Sequence, residues 1–68
     1  MFEPYLVKVN TDALNYRSGP GLNYIIRGVV HRGDVFTIVG EKRDSQNILW
    51  GKLKSGAGWI SLAYTVKY

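Results

Sequence analysis

Asn15 and Arg17 alternate with Leu14 and Tyr16 in the stretch ALNYRSGPG, residues 13–21, and together they carry a distinctive recognition chemistry. A guanidinium offers five donors in a planar fork suited to carbonyls and carboxylates, and a carboxamide both donates and accepts. Contact with a peptide-like ligand is one role open to such a pair. The other is to tie the following loop to the strand, because loop carbonyls withdrawn from water need donors.

Bond-breaking chemistry is less well served. The five carboxylates are scattered, with no spacing that pairs them for general acid–base work. There is no cysteine, and the single histidine, His31, lies in a turn beside Arg32 with no nucleophile to serve. No zinc-type spacing is present. The residues therefore predict a binding domain with no catalytic residues, no metal and no cofactor.

For Asn15 and Arg17 to face solvent, residues 13–17 must be extended, since period-two geometry sends Leu14 and Tyr16 to one side and their neighbours to the other. Ser18-Gly19-Pro20-Gly21 then turns the chain. Upstream, Pro4 ends a short leader and Tyr5–Val9 reads as a strand with Tyr5, Val7 and Val9 on one face. Downstream, Tyr24–Val30 is rich in Ile and Val, with Gly28 marking a bulge or bend. His31–Asp34 supplies a turn, and Val35–Val39 a strand with Phe36 and Ile38 on one face. Glu41–Asn47 reads as a polar loop, and the charges of Glu41–Asp44 as a solvated part of it. Ile48–Leu53 and Trp59–Ser61 read as strands joined by a Lys54–Gly58 hairpin turn, with a last strand open to the tail, Leu62–Tyr68.

No window sustains a helical period. Short strands with glycine-rich turns at close intervals predict an all-β fold, a small barrel of antiparallel strands whose closure removes exposed edges. At 68 residues the chain is expected to be one domain or part of one and to bury only about 60% of its unfolded surface, with no disulfide to supplement the core.

Strand parity also places the aromatic residues. If Leu53 and Ile60 fill the core, Trp50 and Trp59 fall on the outer side, where neighbouring indoles would form an apolar patch suited to interaction. For Trp59 a second role is open, capping the barrel under a loop. Tyr24 and Tyr64 combine an apolar ring with a hydroxyl, as interface residues do, although either could pack in the core.

Nine basic residues against five acidic ones give a net charge of +4, which favours an anionic partner. No apolar run approaches the roughly 20 residues of a membrane span, and Met1–Pro4 lacks the regions of a signal peptide. A domain working outside the cell would need to be carried there by something else.

Leu14-Asn15-Tyr16-Arg17-Ser18-Gly19-Pro20 resembles the opening motif of bacterial SH3 domains, Leu-Asn-x-Arg-x-Gly-Pro ahead of the first long loop. The likeness extends through Tyr24, Ile26-Arg27-Gly28, Val30, Gly33 and Phe36–Gly40 to Trp50-Gly51-Lys52-Leu53, Gly58-Trp59-Ile60-Ser61 and Tyr64, so it spans residues 13–64. Three features depart from it: the longer polar loop Glu41–Asn47, Gly51 where a larger residue is common and room is left for an aromatic, and the extra segment Tyr5–Val9.

The resemblance implies an SH3-like β-barrel that acts as a non-catalytic targeting module. Such modules hold peptidoglycan hydrolases, phage endolysins and autolysins on the bacterial wall, outside the cell. The expected partners are peptidoglycan, through its stem or cross-bridge peptide, and an attached catalytic domain. The expected groove comprises Asn15, Arg17, Tyr24, Trp50, Trp59 and Tyr64. A barrel that stacks on single-stranded nucleic acid is the main alternative, disfavoured because the aromatics lack an interleaved Lys/Arg stripe. A module for proline-rich peptides and self-association through the tryptophan patch are further alternatives.

Overall fold

The computed structural model describes all residues, Met1–Tyr68, and contains seven strands and one short 3-10 turn. The strands are β1 (Tyr5–Val9), β2 (Ala13–Arg17), β3 (Ile26–His31), β4 (Val35–Arg43), β5 (Leu49–Leu53), β6 (Trp59–Ser61) and β7 (Thr65–Lys67), with Leu62–Tyr64 forming the 3-10 turn. All pairings are antiparallel. They form one sheet in the order β3-β2-β6-β5-β4-β1-β7. No helix is long and apolar enough to cross a membrane.

The all-β antiparallel class is as the glycine-punctuated strands predict, but the ladder does not close into a full barrel. β3 and β7 each keep one unpaired edge. The sheet nevertheless wraps round a single core. Val30 of β3 and Val7 and Val9 of β1 belong to one buried cluster with Leu14, Ile38, Leu53 and Ile60, although five strand spacings of about 4.8 Å separate β3 from β1 along the ladder. The turn between β3 and β4 is fastened to the end of β1, where the Val9 amide donates to the Asp34 carbonyl at 2.8 Å and the Gly33 amide to the Val9 carbonyl at 3.0 Å, extending the β1–β4 ladder past Val35.

Local sequence accounts for the main bends. β2 and β3 shift register between Tyr16 and Arg17, so that Tyr16 pairs with Gly28 and Arg17 with Ile26. Gly28 is needed there because the Tyr16 ring lies over it, and a Cβ would meet the ring carbons at 2.6 Å. Gly51 has a different cause from the expected one. The space above it is filled by the Leu62 Cδ2 and Ile38 Cδ1 methyls, 2.7 and 3.0 Å from where a Cβ would stand, and not by an aromatic ring.

Two segment boundaries also differ. β3 begins at Ile26, leaving Tyr24 in the preceding loop, and β4 continues through Gly40 to Arg43. The charged residues 41–43 are therefore strand, because Glu41, Lys42 and Arg43 pair with Gly51, Trp50 and Leu49. The loop shrinks to the turn at 44–48. The extra N-terminal segment is integral: β1 bridges β4 and β7 and places Val7 and Val9 in the core. The chain therefore enters through β1 and leaves through β7 side by side, with the Tyr68 amide bonded to the Leu6 carbonyl at 3.0 Å.

Candidate functional site

The alternation in β2 is as expected. Leu14 is buried and Tyr16 packs against the core, while Asn15 is exposed and Arg17 half-buried on the other face. Arg17 takes up the tying role: Nη1 donates to the carbonyls of Leu22 and Tyr24 at 3.2 and 3.1 Å, pinning the 18–25 loop to the strand. Its remaining donors are uncommitted. The loop packs against itself through Tyr24, whose ring lies where a Cβ on Gly19 would stand and 3.3 Å from where one on Gly21 would.

Beside Arg17 lies a hollow of about 350 Å³, lined by Thr11, Ala13, Leu14, Asn15, Arg17, Leu22, Trp50, Ser61 and Tyr64. It brings together four of the six residues singled out in the sequence: Asn15, Arg17, Trp50 and Tyr64. Tyr64 is 54% exposed and comes from the 3-10 turn, held over the hollow by the bond from the Asn10 amide to its carbonyl. Tyr24 and Trp59 do not line it. Tyr24 is 43% exposed on the loop, and its carbonyl, not its ring, is what engages Arg17.

Trp50 corrects an expectation. It does lie on the face of β5 opposite the core residue Leu53, but only 2% of it is exposed, so the two indoles form no exposed pair. The turn after β4 covers it. Asp44 accepts the indole Nε1–H at 2.9 Å on Oδ2, and its Oδ1 accepts the amides of Gln46 and Ile48 at 2.8 and 3.0 Å. These donors, the indole first among them, hold the Asp44 carboxyl below the ordinary value of 3.8 against a smaller opposing effect of burial. Trp50 is thus a rigid floor of the hollow. Trp59, opposite Arg17 and Lys52 in the β2–β6–β5 register, is half-buried.

Sequence reasoning missed the second half of the groove. A polar recess of about 450 Å³, lined by Leu22, Asn23, Asp44, Ser45 and Gln46, adjoins the hollow. Leu22 lines both, and the Asp44–Trp50 bond joins one floor to the other. The available signal was the placement of an indole six residues after an aspartate that could cap a turn.

A separate hollow of about 270 Å³ lies between β1, β4, β5 and β7. There the Tyr5 hydroxyl donates to Glu41, and Lys67 Nζ stands 4.8 Å from the Tyr5 ring centre. Burial, reinforced by the bond to Glu41 and its charge, pushes the Tyr5 hydroxyl up to about 12.

The groove offers an apolar floor, one guanidinium and one carboxylate, groups capable of apolar contact and hydrogen bonding. No three His, Cys, Asp or Glu side chains stand together as metal ligands would. Compared with protein-family models, curated proteins and solved structures, the chain matches none of them.

Proposed function

We propose that this domain is a bacterial SH3-type wall-binding module, which takes the peptide part of peptidoglycan into the groove between the 18–25 loop and the 44–48 turn. The observation that carries the reading is the meeting of Asn15, Arg17, Trp50 and Tyr64 around one hollow. An apolar floor with a few convergent polar groups is the usual make-up of a ligand site. An extended peptide supplies the carbonyls that Arg17 and Asn15 can bind and the aliphatic side chains that the exposed Leu22 and Tyr64 can cover. Linked to a lytic enzyme outside the cell, such a module raises the enzyme's effective concentration at the wall. The net charge of +4 adds an attraction to anionic wall polymers that salt weakens.

Sedimentation with purified cell walls tests the reading. The wild type is expected to pellet with walls, and Asn15→Ala and Tyr64→Ala to lose several-fold in retention while keeping the wild-type circular dichroism. Both residues are exposed, so their truncation spares the core. Equal retention of all three proteins removes the groove as the site. Retention on single-stranded DNA but not on walls selects the nucleic-acid alternative.

A further inference from the structure

The two halves of the groove differ in chemistry: one is an apolar hollow beside a guanidinium, the other a polar recess whose only charge is Asp44. We propose that the recess formed by Asn23, Asp44, Ser45 and Gln46 receives a protonated primary amine, carried by the peptide whose apolar part occupies the adjoining hollow. This inference rests on the wall-peptide reading above.

The charge pattern points to it first. On a chain with nine basic residues and a net charge of +4, no cation lines this recess. Arg43, next in sequence to Asp44, donates from Nη1 to the Asn47 carbonyl at 3.1 Å. The only ion pair of the molecule, Arg32 with Asp12, involves neither residue. Asp44 thus has hydrogen-bond partners but no counter-charge.

The acceptor count agrees. Oδ1 of Asp44 takes two backbone amides, whereas Oδ2 takes only the Trp50 indole and keeps a lone pair available. The Asn23 and Gln46 carboxamides and the Ser45 hydroxyl add neutral acceptors on the same walls. An ammonium has three donors and no acceptor, which matches one open carboxylate position on a recess whose other polar side chains are neutral and can accept. An anion would meet the carboxylate, and an apolar group would strip water from four polar side chains without replacing their hydrogen bonds.

Acetylating the free amines of purified walls with acetic anhydride provides the test, because charge alone predicts the opposite result. Acetylation makes the wall more negative, so general attraction of a +4 protein would rise. The inference requires retention of the wild type to fall, by about tenfold for loss of a charge-assisted contact. Asp44→Asn is expected to bind native and acetylated walls alike. Mild alkali, which cleaves ester-linked amino acids and spares amide-linked peptide amines, is expected to leave binding intact. Equal or stronger wild-type binding to acetylated walls overturns this inference alone, and loss after alkali alone overturns the peptide as the amine's source. No binding to native walls overturns the wall reading and this inference together.

Discussion

Trp50 and Trp59 stand on neighbouring strands, and both lie on the outer side of the sheet, yet one is sealed and the other half-open. Parity puts a side chain on a face; what happens beyond that face decides its exposure. Over Trp50 the 44–48 turn folds down and fastens to the indole through Asp44. No such bond to its indole holds a cover over Trp59. The first indole is part of the scaffold, whereas the second keeps part of its surface in solvent.

Stability measurements can break this contrast outright. Trp50→Ala is expected to cost about 3–5 kcal/mol, the usual loss for a buried large aromatic, enough to unfold much of so small a domain. Trp59→Ala should cost about 1 kcal/mol, within the range of partly exposed substitutions. Urea denaturation of both variants is the check, and a larger loss for Trp59→Ala would overturn the assignment of roles. Next in size, Gly51→Val should cost about 1–3 kcal/mol through overpacking against Leu62 and Ile38. That result would show the core side of β5 to be as tightly filled as its outer side at Trp50.

Two gentler perturbations sharpen the contrast between the loops beside the hollow. Arg17→Ala removes the two bonds to the 18–25 loop and should destabilise by about 1 kcal/mol. Faster amide exchange at Ser18 and Tyr24, with rates in the 44–48 turn unchanged, is the expected signature. Acid should act on the other loop. The lowered value of Asp44 means that its stabilising effect is fully present above pH 3.8, the ordinary value, and is lost as pH falls through the folded-state value. In that window the Trp50 indole N–H resonance should shift while that of Trp59 stays in place, and Asp44→Asn should abolish the shift.

Much of the architecture was legible because it depends on neighbours in sequence. Leu14 and Tyr16 turn inward, and Phe36 and Ile38 share the core face, because alternation is a local property of extended chain. The strand character of Glu41–Arg43 was not, since three charged residues gain their pairing only from Leu49–Gly51 across the hairpin. Nor was the burial of Trp50, which depends on one carboxylate reaching back over a turn. Tyr24 read as a strand residue by its Ile-rich surroundings, but its ring folds over glycines 19 and 21, whose lack of side chains lets it do so. The open ladder was hidden for a related reason: β2 meets β6 more than forty residues later, and only at Arg17 and Trp59.

The pairing of β1 with β7 has a consequence for protein engineering. β1 runs toward Asn10 and Thr11 beside the hollow, and β7 runs away from Tyr64 on the same rim, so both ends emerge together at the opposite end of the ribbon. The domain can thus be spliced as a cassette into a surface loop of a host protein, its entry and exit occupying a gap about one strand spacing wide. Mounted that way, it would present the hollow beside Arg17 and Tyr64 outward, with the host behind it.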